Sequence, residues 1–267
     1  TIYKLVLKFF NTGTLNFNEL GYILIAAEKS ELSISGANQI QAMFNAVAPR
    51  YDFLNRLLSV GYDRYWRKLA VNELESVGNK TYLDVATGTA DIALEIARRN
   101  PSPFKIIGMD FSLSMLNLGN KKISSEDLSQ DIKLIPGSAE NIPLKDQTFD
   151  GAITAFGVRN FADAKKGLQE MYRVLKPHGK IVVLEFSFPK NGVLQWLYRL
   201  YFEKILPFTG RIVSGHKSAY TYLPASVANF PQGKAFSKML EDSGFENVML
   251  KELTFGIVTL YSGTKNV

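Results

Sequence analysis

The chain has 267 residues, 46% of them hydrophobic, enough for one large domain with a real core. It has no cysteine and only two histidines, His178 and His216, which rules out disulfides, a cysteine nucleophile and cysteine metal sites and argues against a multi-histidine metal site. The net charge of +6 and pI near 9.3 admit an anionic membrane or nucleic acid as partner, yet no dense Lys/Arg run marks an RNA-binding arm.

Residues 1–38 carry two short apolar runs, Leu5–Phe10 and Tyr22–Ala27, both far short of the roughly 18–20 residues of a membrane span. They read as an extension of unassigned role, since no signal-peptide cleavage pattern follows the basic start. From Gln39 to Lys68 the apolar spacing is helical, with a break at Pro49. There Tyr51 and Asn55, four apart, share a helix face beside Asp52. This polar group among aromatics either lines a pocket or only caps and solvates its helix.

Next comes Tyr82-Leu83-Asp84-Val85-Ala86-Thr87-Gly88-Thr89-Ala90-Asp91, with Ile92, Ala93, Ile96 and Ala97 at helical spacing beyond it. The pattern predicts a strand, a tight turn of small residues and a helix. Gly88 and its small neighbours let backbone approach a ligand closely, beyond the carboxyl end of the strand. Asp84 and Asp91 flank the turn, and no Gly-Lys-Ser/Thr is present, so a phosphate is disfavoured. A cationic, amine-bearing ligand suits this charge, and S-adenosylmethionine is favoured over a nicotinamide dinucleotide. The next strand, Lys105–Met109, ends in Asp110, which either accepts hydrogen bonds from ribose hydroxyls or caps the helix starting near Ser112.

Further strands are expected at Asp131–Ile135, Phe149–Phe156 and Lys180–Phe186, and a helix at about Asp163–Leu175 that Lys176-Pro177-His178-Gly179 terminates. A closing helix at about Gly233–Ser243 precedes an antiparallel pair near Val248–Leu253 and Phe255–Ser262. Alternating strands and helices imply an α/β fold with a mostly parallel sheet covered on both faces. Residues 192–213 interrupt the rhythm. Their aromatics, mixed with Arg199, Glu203, Lys204 and Arg211, suit a packed helix, an amphipathic lid, a lipid-tail channel or an interfacial helix.

Tyr51-Asp52-Phe53-Leu54-Asn55, Asp84–Asp91, Phe156-Gly157-Val158-Arg159-Asn160 and Met171–Pro177 together resemble the ubiquinone/menaquinone biosynthesis C-methyltransferase family. Leu184-Glu185-Phe186-Ser187 and Tyr220-Thr221-Tyr222-Leu223-Pro224 fit it too, and the latter, with Phe230-Pro231-Gln232-Gly233, is nearer the menaquinone-type members. The likeness spans about residues 39–264. It implies a Rossmann-like class I methyltransferase domain over 39–267, with seven strands, an antiparallel last strand and a lid or substrate insertion at 192–230. It implies methyl transfer from S-adenosylmethionine to a ring carbon of a prenylated quinol. Asp84, Gly88, Thr89, Asp110, Ser138 and Ala139 are the expected cofactor residues. Arg159, Asn160, Tyr51, Asp52 and Asn55 are the expected catalytic group, with no metal.

Three positions depart from the family pattern. Ala90 replaces a usual Gly, a small change if its φ is negative; Ser138 replaces Asp or Asn; Ala155 replaces Ser. The competing readings are C-methylation of a ubiquinone-pathway benzoquinol, another small-molecule acceptor, a weakly cofactor-binding scaffold subunit of a quinone-biosynthesis assembly, and an RNA methyltransferase. No basic-aromatic platform supports nucleic acid. The expected setting is cytoplasmic, with peripheral contact at the inner face of the membrane, and homodimerisation is left open.

Overall fold

The computed structural model describes residues 38–74, 80–100, 103–190 and 217–266, with a few positions between 191 and 200. The chain divides into two units, Thr1–Ile40 and Gln41–Val267; the sheet and the site belong to the second. The expected extension and residues 201–213 of the aromatic segment lie outside the described residues.

Seven strands form one sheet: β1 (Lys80–Val85), β2 (Phe104–Asp110), β3 (Ile132–Pro136), β4 (Phe149–Ala155), β5 (Leu175–Phe186), β6 (Glu246–Leu253) and β7 (Val258–Thr264). Their order is β3-β2-β1-β4-β5-β7-β6. The first five are parallel, and β7 runs antiparallel to both β5 and β6. The order reverses between β1 and β4, which opens a crevice at their carboxyl ends.

Eight helices are labelled among the described residues. They are α1 (38–47), α2 (Tyr51–Leu58), α3 (Tyr62–Glu73), α4 (Asp91–Arg99), α5 (Leu113–Ser125), α6 (Ala164–Val174), α7 (Lys217–Asn229) and α8 (Lys234–Asp242). Side chains alternate across each strand, so one face of the sheet takes Tyr82, Ile153, Val182 and Leu184 and packs with Trp66 and Val71 of α3 and Ile92 and Ile96 of α4. The opposite face takes Leu83, Val85, Ala152 and Val183 and packs with Leu168 and Met171 of α6 and Phe236 and Leu240 of α8. A sheet covered on both faces needs apolar residues at consecutive strand positions, which is how β1, β4 and β5 read.

The helical region expected from Gln39 to Lys68, with its break at Pro49, is three helices. Pro49 sits at the start of a 3-10 turn, Ala48–Arg50, and Gly61 at φ 80° separates α2 from α3. Lys176-Pro177-His178-Gly179 does not form the end of α6. The helix stops at Val174, and these four residues already belong to β5, with His178 at φ 62°. Pro177 still contributes, because it holds Lys176 extended and so prevents the helix from running further.

Arg173, at the end of α6, donates to the carbonyls of Ile142 (2.8 Å) and Leu144 (2.9 Å), while Glu170 accepts from the Ile142 N–H (2.9 Å). This clamp holds the loop after β3, where Ser138 and Ala139 sit. Gly137 N–H donates to the Asp110 carbonyl (3.1 Å), tying the same loop to the end of β2.

Candidate active site

Two groups of polar residues meet at the carboxyl edge of the sheet. The first is built by the turn from β1 into α4. Asp84, the last but one residue of β1, is 1% exposed. Its Oδ2 accepts from Thr87 Oγ1 at 2.6 Å, and its Oδ1 is buried without a hydrogen-bond partner. Burial raises its pKa to about 7, although the Thr87 hydroxyl favours the ionised form. Asp110 accepts from Gly88 N–H (2.9 Å) through one oxygen and from Ser112 N–H (2.8 Å) through the other. Burial pushes its pKa up, partly offset by those backbone donors.

The two readings of Asp110 separate here. Ser112 caps α5, its hydroxyl accepting from Met115 N–H at 3.3 Å. Asp110 is therefore not the side-chain cap; it braces the glycine turn, with lone pairs left on both oxygens.

Asp91 does not join Asp84 as a free negative charge. Burial opposes its ionisation, but Arg67 and Lys122 outweigh that and hold the carboxyl below its usual range. Lys122 Nζ lies 2.6 Å from Asp91, 2.5 Å from Asp52 and 2.9 Å from Thr89 Oγ1. Thr89 in turn donates to Asp52 at 2.6 Å. Asp52 and Thr89, expected in the catalytic and the cofactor group, thus meet each other and Lys122 in a buttress beside the turn. Ala90 takes φ 67°, so the condition for a harmless Gly replacement is not met: a left-handed alanine is strained.

The second group follows β4 and β5. Phe156 at φ 59° and a 3-10 turn, Val158–Asn160, bring Arg159 and Asn160 over the sheet edge. Gly157 is required there, since a Cβ would come within 2.6 Å of the Ala86 Cβ. Arg159 Nη1 lies 2.5 Å from Glu185 Oε1 and donates to the Phe156 carbonyl at 2.6 Å. Its Nε–H is buried with no partner. Glu185, only 2% exposed, also accepts from the Phe186 N–H at 2.9 Å. The Arg159 guanidinium stands 5.5 Å from the Phe186 ring centre, and the Phe156 and Phe186 rings lie 4.5 Å apart. Asn160 Oδ1 accepts from Tyr222 of α7 at 2.8 Å.

Tyr51 links the groups. It shares a face of α2 with Asn55, whose side chain favours the ionised phenol, and a Cβ on Gly88 would lie 4.0 Å from its ring. Burial raises its pKa, and its phenol feels the charges of Arg67, Arg159 and Asp110. Ser138 lies on the surface, its hydroxyl donating to Glu140, and Ala139 beside it is buried. Glu185 and Tyr222 lie in the family-like motifs, and the sequence by itself assigns them no role. An acid ending a strand was the available signal for Glu185, as for Asp84 and Asp110.

The sequence pattern of the ubiE/COQ5 methyltransferase family matches residues 33–265. The chain belongs to that family. It is 48% identical over 227 residues to the ubiquinone/menaquinone biosynthesis C-methyltransferase UbiE of Geotalea daltonii, covering 85% of this chain and 96% of the relative. It is 45% identical over 226 residues to the demethylmenaquinone methyltransferase of Deinococcus radiodurans, covering 85% and 92%. Among solved structures, the [4+2]-cyclase SpnF superposes with a TM-score of 0.62 at 18% identity, covering 86% of this chain and 97% of the other, a likeness of fold alone.

S-adenosylmethionine is the methyl donor of this family, and the first group fits it. Oδ1 of Asp84 is buried without a hydrogen-bond partner, Gly88 keeps the turn open, and Asp110 has acceptor capacity to spare. Among the described residues no cluster of His, Cys, Asp or Glu could hold a metal ion, and no helix is long and apolar enough to cross a membrane.

Proposed function

We propose that this protein methylates a ring carbon of a prenylated quinol, converting demethylmenaquinol to menaquinol in menaquinone biosynthesis. The observation that carries the reading is the buried Arg159 with one unpaired N–H, set beside the Asp84–Gly88–Asp110 turn through Tyr51. The names of the Geotalea and Deinococcus relatives support the substrate class.

When bound, S-adenosylmethionine supplies an electrophilic methyl on a sulfonium. Asp84 holds the cationic amino group, Asp110 the ribose hydroxyls, and Ser138 with Ala139 borders the adenine. A quinol carbon attacks well only once a neighbouring hydroxyl has lost its proton. Arg159 stays cationic and lowers the cost of that phenolate. Because Glu185 already neutralises part of its charge, Arg159 acts through a directed N–H as well as through net charge. Glu185 and the Phe156 carbonyl hold the guanidinium so that little reorganisation is needed. Asn160, fixed by Tyr222, orients the ring, and Tyr51 with Asn55 closes the ligand side of the turn. Asp52 acts indirectly, by fixing Thr89 and Lys122.

Residues 192–213 are the proposed route for the prenyl tail; Trp196 and Leu200, four apart, are both exposed. Peripheral membrane contact follows from so apolar a substrate. Titration with S-adenosylmethionine, then methyl transfer to reduced demethylmenaquinol, tests the reading. Binding followed by ring methylation is the expected result, and binding without turnover on any prenylated quinol would overturn it.

A further inference from the structure

The helical hairpin α2–α3 presents a surface that the reaction does not use. Phe53, Leu57, Val60 and Tyr65 are 59%, 46%, 81% and 52% exposed. Val60, at the tip, has φ 51°, a conformation that a β-branched residue adopts only at a cost. Folding gains nothing from an exposed valine there, so the apolar tip is unexplained by the core.

Cations interleave with these residues. Arg56 lies three residues from Phe53, and Arg64 and Lys68 are four apart on α3. All three line a cleft of about 630 Å³ between α2, α3, α4 and α5. The other cations of that cleft are already engaged. Arg67 pairs with Asp63 and Asp91, Arg98 with Glu126, Arg99 with Glu95, and Lys122 with Asp52 and Asp91. Among the described residues Arg56, Arg64 and Lys68 have no ion-pair partner within 4.0 Å, and the acids of the hairpin, Asp52, Asp63 and Glu73, are taken up by Lys122, Arg67 and Lys180.

We propose that the α2–α3 hairpin docks this protein on an anionic lipid surface, with Phe53, Leu57, Val60 and Tyr65 entering the interface and Arg56, Arg64 and Lys68 meeting the headgroup phosphates. Unpaired cations match the charge of such a surface, and exposed aliphatic side chains beside them have no use for a small soluble anion. Aliphatic Leu57 and Val60 also set the surface apart from a nucleic-acid platform, which stacks bases on aromatic rings. The choice of a membrane rests on the quinol reading, which supplies a substrate that resides there.

The test is co-sedimentation of the full chain with vesicles of phosphatidylcholine alone and of phosphatidylcholine mixed with phosphatidylglycerol. The wild type should partition onto the mixed vesicles, and more weakly as salt is raised. Each of Arg56→Glu, Arg64→Glu and Lys68→Glu should reduce partitioning at least about five-fold, and the triple variant about 100-fold or more. Phe53→Ser, an exposed and independent change, should reduce it about ten-fold without altering the salt dependence. Thermal melts should be unchanged in all of them. Wild-type binding to neither vesicle, a triple variant that binds as the wild type does, or full displacement by inorganic phosphate would each overturn the proposal, the last by revealing a free-anion site. Turnover on a water-soluble short-chain quinol, measured in parallel, should persist in every variant. Its failure in the wild type would sink the quinol reading while the vesicle result stood on its own.

Discussion

The two halves of the sheet edge treat buried charge in opposite ways. At the ends of β1 and β2, carboxylates are held by neutral donors: a hydroxyl for Asp84 and backbone N–H groups for Asp110. At the ends of β4 and β5, the buried charge is balanced within the chain by the Arg159–Glu185 pair. The first arrangement leaves an anion with an unfilled acceptor, so it is costly until a cation arrives. The second is stable by itself and keeps one spare donor. A binding subsite and a subsite for a transient anion would differ in this way, because only the first must hold its ligand through the whole cycle.

The largest effect should come from breaking the second half. Arg159→Ala should lower kcat about 10²- to 10³-fold while leaving S-adenosylmethionine affinity within a few-fold. It should also cost about 3–5 kcal/mol of stability, since Glu185 would be buried without its partner. Adding Glu185→Gln should recover much of that stability in chemical denaturation and none of the turnover. Full turnover in either variant would remove Arg159 from the reaction.

Asp84→Asn probes the first half, and its two readouts should move in opposite directions. S-adenosylmethionine affinity, read by calorimetric titration, should fall about 10- to 100-fold. The folded carboxyl has a pKa of about 7, above its value of about 4 in an unfolded chain, so the folded state holds an extra proton between those values. The stability from that proton is complete below about pH 4 and falls as pH rises through about 7. At pH 8, therefore, the Asn variant should be more stable than the wild type. Wild-type affinity for the cationic ligand should rise from pH 6 to pH 8, and that rise should vanish in the variant. A flat wild-type profile would show that Asp84 is not the group that meets the charge.

Smaller effects test the backbone beneath each half. Gly157→Ala should destabilise by about 1–3 kcal/mol, because its Cβ meets Ala86 and lies 2.9 Å from Thr154 Oγ1. Ala90→Gly should stabilise by about 1 kcal/mol by relieving the left-handed alanine. A thermal melt reads both, and destabilisation by Ala90→Gly would show that packing of its buried methyl outweighs the strain.

Much of this protein follows from the order of residues alone. Strand positions, the sheet's parallel character and the glycine turn are local: period-two burial, β-branched runs and small residues at a turn depend on near neighbours. Tyr51 and Asn55 were legible together for the same reason, as positions four apart on one helix. What tertiary structure decided is where each charge finds its counterpart. Asp91 and Asp52 are as acidic in the sequence as Asp84, yet Lys122, 31 residues beyond Asp91 on another helix, takes up both. Arg159 finds Glu185 only because β4 and β5 are adjacent in the sheet. Local spacing sets secondary structure, but the pairing of buried charges depends on which distant elements pack together, and that pairing separates a binding carboxylate from a structural one.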